Sequence, residues 1–287
     1  MNKPQCMTIF IIGDIGGQLK VFNRILKKIG VKSNYKLPDD IKVIQVGDLT
    51  RASPKFLSQN TIILETIKNI INANPSRWIQ LYGNHESAAL GGPKKSDWDI
   101  EKSYDSKCLY LLDNLWKDKK IKLAHTFSLN NKDYLVTHAG ITYHRWKSLG
   151  QPQAYKAEKI INKDCGKDFS KISKAGILVE NETVLTADTQ WAEVNKELYL
   201  PWIKNSEMPF SQIHGHASPY NWEKNDWWED ASNIIKKRTI LIKNSRQTIN
   251  FPGNNSHFFL SIDWNLGNNI TSQIWPLVNI KGNMYHE

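Results

Sequence analysis

Ile79-Gln80-Leu81-Tyr82-Gly83-Asn84-His85-Glu86 passes from a short apolar segment, through glycine, into three polar side chains. A brief apolar run closed by a breaker reads as a buried strand, so these polar groups fall at the carboxyl end of a predicted strand Ile79–Tyr82. The same grammar recurs along the chain. Met7–Ile12 runs into Gly13-Asp14, and Ile41–Val46 into Gly47-Asp48. Later, Asp133–Thr137 runs into His138-Ala139-Gly140, and Ser211–Ile213 into His214-Gly215-His216. Helical spacing fills the gaps: Leu19, Phe22, Ile25, Leu26 and Ile29 end at Gly30, and Ile62, Ile63, Ile67, Ile70 and Ile71 give Thr61–Asn72 an apolar face. This strand–turn–helix rhythm predicts an α/β fold with its polar groups at strand ends, where open sheets expose a ligand crevice.

Outside that rhythm the pattern loosens. Gly91-Gly92-Pro93 marks a loop, and Tyr104, Leu111, Leu112, Leu115 and Trp116 fit a further helix. Residues 146–181 read as a helical or irregular insertion within a single domain spanning 1–287. Trp191, Val194, Leu198 and Trp202 have helical spacing; Thr239–Ile242, His257–Ile262 and Gln273–Leu277 suggest late strands. Trp222, Trp227 and Trp228 are read as packing or assembly residues before base-stacking ones.

The 287 residues can bury a large core, and 38 basic against 28 acidic side chains give a formal charge of +10. That excess attracts phosphorylated ligands but is spread along the chain. The modest cluster Lys236, Lys237, Arg238, Lys243 and Arg246 reads as a solvated strand edge; no dedicated nucleic-acid-binding module accompanies it. Cys6, Cys108 and Cys165 show neither a disulfide framework nor a Cys-x-x-Cys spacing, and Cys6 is expected in the core. No leader or membrane-length apolar run is recognised, so no membrane partner and a cytoplasmic location are expected, with Asn181-Glu-Thr unglycosylated there.

Asp14, Asp48, Asn84, His138 and His216 carry the chemistry. Singly, Gly-Asp is a turn, Asn84 a helix cap and His138 a satisfied core histidine. Together at strand ends they suit two divalent ions: a carboxylate bridges hard cations, while amide oxygen and neutral imidazole complete the shell. Such ions lie about 4 Å apart and act on phosphoryl groups.

The ordered set, with Gly83-Asn84-His85-Glu86 its most specific element, resembles the calcineurin-like metallophosphoesterases. The likeness is greatest to small prokaryotic or viral proteins related to serine/threonine phosphoprotein phosphatases, and runs from Gly13-Asp14 through the region of Asp263. It implies a four-layer fold in which a central β-sandwich is flanked by helices, with a two-metal site across strand-end loops. It implies further that Asp48 bridges the ions, Asp14 serves the first position, and Asn84, His138 and His216 join Asp48 at the second. His85 is implied to assist proton transfer to the leaving oxygen.

Three departures follow. The histidine usual two residues after the first Asp is Gly16 here, which leaves the first metal position underfilled unless Gln18, His214 or water contributes. The usual Asp-Arg-Gly, whose Asp orients the catalytic His and whose Arg holds phosphate, is matched by Arg51-Ala52-Ser53. Arg51 is thus shifted by one residue, and is expected either to hold phosphate or to be a solvated loop residue. Glu193 follows Trp191 where the family often has a substrate-binding arginine. The expected activity is divalent-metal-dependent hydrolysis of phosphomonoesters, with serine/threonine phosphoproteins or small phosphoesters as partners. Mn2+ is the first expected cofactor, then Mg2+, Fe or Zn2+. The alternatives are cyclic-nucleotide or other phosphodiester hydrolysis, or metal and phospholigand binding without catalysis.

Overall fold

Ile9 and Ile11 leave the first strand on one face, Phe10 and Ile12 on the other, and this period of two sorts the molecule into two cores. The computed structural model describes residues 7–179, 187–205, 208–253, 256–263 and 277–282. In chain order the strands begin with β1 (Met7–Ile12), β2 (Ile41–Gln45), β3 (Trp78–Leu81), β4 (Ile121–Lys122), β5 (Ala124–Leu129) and β6 (Lys132–Thr137). They continue with β7 (Ser211–His214), β8 (Tyr220–Asn221), β9 (Asp226–Trp227), β10 (Thr239–Ile242), β11 (Gln247–Asn250), β12 (Phe259–Ser261) and β13 (Leu277–Gly282).

One sheet has the order β13-β1-β2-β3-β4, the other β10-β11-β12-β7-β6-β5, and β8 pairs with β9 alone. Within the first, β1, β2, β3 and β4 run parallel and β13 closes the edge antiparallel. Within the second, β12, β7 and β6 are parallel, with antiparallel neighbours on both sides. Ile9, Ile11, Ile44, Val46, Ile79 and Leu81 meet Phe127, Val136, Ile213, Leu260 and Ile262 between the sheets. Each such side chain contributes about 1.5–3 kcal/mol by leaving water.

The opposite faces carry helices, so the α/β fold has two mixed sheets between two helical layers. Helix α1 (Leu19–Ile29) buries Val21, Phe22, Ile25, Leu26 and Ile29, and ends where Gly30 takes φ +86° and donates to the Leu26 and Lys27 carbonyls. Helix α2 (Leu57–Ala73) begins earlier than its apolar spacing predicts. A one-turn-and-a-half helix, α3 (Asn84–Ala89), follows β3 directly. Tyr104 lies between α4 (Ile100–Ser103) and α5 (Ser106–Lys117), because the Asp105 carboxylate caps α5 by accepting from Cys108 N.

Residues 146–179 are short helical pieces whose Ala154, Ala157, Ile161 and Phe169 join the same apolar cluster as α1 and α2. Trp191 precedes its helix rather than opening it. Glu193 accepts from Asn195 N and Lys196 N, so winding starts at Val194, as a π-helix to Tyr199 and then an α-helix over Leu200–Asn205. Cys6, Asn181 and residues 273–276 of the last predicted strand lie outside the described residues; Leu277 opens β13. Among the described residues no helix is long and apolar enough to cross a membrane.

Candidate metal centre

The three parallel strands β1, β2 and β3 deliver Asp14, Asp48 and Asn84 just past their carboxyl ends. The parallel strands β6, β7 and β12 of the other sheet deliver His138, His216 and Asp263 in the same way. The site therefore straddles the two sheets.

Its loops are locked by a carboxylate that faces away from the cavity. Glu86 accepts from Asp48 N and Gly83 N at 2.9 Å through one oxygen, and from Thr50 N at 2.8 Å and Thr50 Oγ1 at 2.7 Å through the other. Two strand-end loops are thereby tied to the first turn of α3. Close approach explains two glycines: any side chain at Gly83 would strike the Asp48 carboxylate, and any at Gly215 the Asp14 carboxylate. Asp14 also accepts from His216 N at 3.1 and 3.2 Å, and Asp48 from His85 N at 3.0 Å.

The donor chemistry at the centre fits a cation. Ligand atoms of Asp48, His138 and His216 lie within 4.8 Å of one another. His138 Nδ1 contacts the Val46 carbonyl at 3.0 Å; a carbonyl only accepts, so the ring proton is on Nδ1 and Nε2 offers a lone pair. Burial pushes His138 down to about 3, keeping it neutral. The Asn84 amide oxygen lies 3.1 Å from that lone pair and 3.0–3.1 Å from both Asp48 oxygens. With the amide oxygen inward, four acceptors converge with no proton between them. Turned over, the amide would donate to Asp48 and His138 instead; a bound cation would favour the oxygen-inward orientation. Asp14 and Asp48 are held well above the ordinary carboxylate range, first by burial, then by Asp263 and Asp48 for Asp14 and by Glu86 for Asp48. A divalent ion relieves that repulsion.

His85 borders the same cavity. Ala52 N donates to its Nδ1 at 3.1 Å, so the neutral ring carries its proton on Nε2, which stands 3.8 Å from Asp48 Oδ2. Burial, then Arg51, hold its pKa well below the usual histidine value. Trp98 stacks on the ring at 4.0 Å between centroids. Arg51 lines the cavity, and its backbone is gripped on both sides by Asn60: N donates to Oδ1 at 3.1 Å, and O accepts from Nδ2 at 3.0 Å.

Gln18 and His214, the substitutes expected at a first metal position, sit elsewhere. Gln18 is the N-cap residue of α1 and does not line the cavity. His214 uses both ring nitrogens, Nδ1 to the Gly215 carbonyl at 2.9 Å and Nε2 to the Tyr199 hydroxyl at 3.0 Å. It braces β7 from within. Glu193 is spent on its helix cap. Cys108 and Cys165 are buried thiols pushed up to about 12 and about 11, first by burial, which leaves them inert at neutral pH.

The cavity has a volume of about 640 Å³. Asp14, Asp48, Asn84, His85, His216 and Asp263 border it, with Arg51, Lys95, Trp98 and Trp228 around them. Asp263, Lys95 and Trp98 are the contributors that motif order does not single out. Lys95 and Trp98 follow Gly91-Gly92-Pro93 in a segment that reads only as loop. Trp222 is buried edge-on against Tyr220, whereas Trp228 reaches the cavity.

Comparison with solved structures finds this architecture elsewhere. A cold-active protein tyrosine phosphatase is 15% identical, with a TM-score of 0.50 over 90% of this chain and 70% of its own. A protein serine/threonine phosphatase from Saccharomyces cerevisiae is 13% identical, with a TM-score of 0.48 over 99% and 82%. A putative diadenosine tetraphosphatase is 14% identical, with a TM-score of 0.42 over 96% and 94%. At 15% identity the first of these speaks to the fold alone, and nothing is drawn from the other two. Among curated proteins none matches. A sequence model of the calcineurin-like phosphoesterases matches residues 7–258, which covers the strand ends from Asp14 to His216, and the chain therefore belongs to that family of metal-dependent phosphoester hydrolases.

Proposed function

We propose that the enzyme hydrolyses phosphomonoesters with two divalent ions, Mn2+ first among them, and that phosphoserine and phosphothreonine proteins are its leading substrates. The observation that carries this reading is the cavity itself: convergent acceptors on its floor, and two cationic side chains, Arg51 and Lys95, on its wall. A terminal phosphoryl group brings two negative charges and exposed oxygens to such a cradle. Asp48 would be shared between the ions, Asp14 would serve the first, and Asn84, His138 and His216 the second. When bound, the ions supply Lewis-acid charge to the phosphoryl group and the attacking water.

The chain's own groups do the rest. Arg51 presents a planar fork to nonbridging oxygens, and Glu86 keeps Asp48 and Asn84 in register. His85 directs its Nε2–H toward the leaving oxygen, with Trp98 fixing the ring plane. We place this machinery in a single domain over 1–287, with the 146–181 segment built into it. Steady-state kinetics with Mn2+ on phosphoserine peptides, bis(p-nitrophenyl) phosphate and cyclic nucleotides tests the assignment. Turnover of the diesters without the monoester would replace it by phosphodiesterase activity.

One contact favours a narrower substrate range. Behind His85, at Nδ1, stands the Ala52 peptide N–H. A neutral imidazole so held donates a hydrogen bond readily and a proton reluctantly, so weakly basic leaving oxygens gain most. As a second reading, aryl esters and phosphoanhydrides would then displace alkyl esters such as phosphoserine as the better substrates, and a dependence of kcat/KM on leaving-group pKa that His85→Ala leaves unchanged would support it.

A further inference from the structure

Three parallel strands of each sheet lead to the centre, and Asp263 follows the last of the six, β12. It stands second beyond β12, as Asp14 stands second beyond β1 and His216 second beyond β7. Ser261 is level with His214 in the parallel pairing, Ile262 N donates to the His214 carbonyl at 2.9 Å, and Ser261 Oγ donates to the Ala217 carbonyl at 2.9 Å. The chain leaving β12 therefore tracks the loop that carries His216. Asp263 is 3% exposed and borders the cavity with Asp14, Asp48 and Gly16.

We propose that Asp263 is the third carboxylate of the first metal position, taking the part of the side chain that Gly16 lacks. The proposal rests on the two-ion reading above. A cation at this centre fits more than acid count, since the bare His138 nitrogen and the Asn84 amide both converge on the Asp48 carboxylate, and the amide can turn its oxygen to an ion. Gly16 offers no ligand, and a Cβ built there would meet only Arg51 Nη1, at 3.8 Å. His214 is occupied on both nitrogens and Gln18 lies outside the cavity, whereas Asp263 is a buried carboxylate that lines it from a strand end, as Asp14 and Asp48 do. Asp97 and Glu223 also line it, but not from the parallel strands that carry the other candidate ligands. Its charge reaches Asp14 more strongly than that of any other carboxylate, in keeping with that neighbourhood.

The two positions then differ in kind. The first is built from carboxylate oxygen and suits hard ions such as Mg2+ and Mn2+; the second mixes oxygen with imidazole and also suits Zn2+. The test titrates Mn2+ into stripped wild type and Asp263→Asn, counting ions by calorimetry and by the exchange-coupled Mn2+ pair signal in electron paramagnetic resonance. Two ions in wild type, one in the variant and no pair signal are expected, with first-position affinity down at least about tenfold. Metal-free Asp263→Asn should melt no lower than metal-free wild type, because one buried like charge is gone. Two ions bound by the variant at wild-type affinity would overturn the role of Asp263 and leave the two-ion reading intact. One ion in wild type would overturn both. A lower metal-free midpoint in the variant would make Asp263 a structural acceptor and remove the proposal.

Discussion

Asp48 and His216 hold left-handed backbone, with φ of 48° and 61°. For side chains other than glycine this costs on the order of 1 kcal/mol or more each, and the surrounding hydrogen bonds enforce it. Glu86 holds Asp48 N, and Asp14 holds His216 N. Strain is thus tolerated at two candidate ligands, where it aims a side chain into the cavity. The roles separate by substitution. Asp48→Ala should lose both ions and turnover together. On the proposal that its Nε2–H steadies the leaving oxygen, His85→Ala should lower kcat by about 10²–10³-fold with ion stoichiometry unchanged. Equal metal loss in the two variants would take His85 out of that role. Arg51→Ala should raise KM or lower kcat at saturating Mn2+ with metal retained, and Arg51→Lys should recover only part, having lost the planar fork. Unchanged kinetics with intact fold and metal would place Arg51 outside the phosphate cradle.

Elements set these side chains from a distance. Helix α2 contributes Asn60, fully buried, which grips the Arg51 backbone from both sides and donates to the Ser103 carbonyl at 3.2 Å. Asn60→Ala should cost about 1–3 kcal/mol by stranding buried backbone groups. It should also raise KM like Arg51→Ala with ion binding kept; a stability loss at wild-type KM would separate α2 from substrate holding. The framework that holds Asp14, Asp48 and Asn84 was legible because β1, β2 and β3 are apolar runs stopped by glycine. β5 and β11 were not: Ala124–Leu129 and Gln247–Asn250 mix polar groups into strands whose pairing comes from distant partners. Asp263 stayed hidden for a related reason. It follows Phe258–Ile262 without a glycine, and only the pairing of β12 with β7 shows where it goes.

At the scale of the molecule, the centre is a junction between two sheets: Asp14, Asp48 and Asn84 come from one, His138, His216 and Asp263 from the other. Ions bound there join the sheets, and at a free concentration a hundred times Kd binding adds about 2.7 kcal/mol to stability. The size of that gain depends on pH with a definite sign. In the metal-free fold Asp14 and Asp48 have pKa values raised above the unfolded value of 3.8. Their contribution to metal-free stability is therefore lost as pH rises from the unfolded value through the folded ones. Bound ions keep both carboxylates ionised, so the loaded fold escapes this loss. His214, pushed down to about 4 by burial, acts with the opposite sign: its contribution is present above 6.5 and lost as pH falls toward the folded value. Away from the ions, it does so in both forms and cancels from their difference. The gap in melting temperature between Mn2+-loaded and EDTA-treated protein should accordingly be wider at about pH 7.5 than at about pH 5.5. Differential scanning calorimetry of both forms at the two pH values measures it. A gap that stayed constant or narrowed toward pH 7.5 would mean that the buried carboxylates at the sheet junction are not what the ions neutralise.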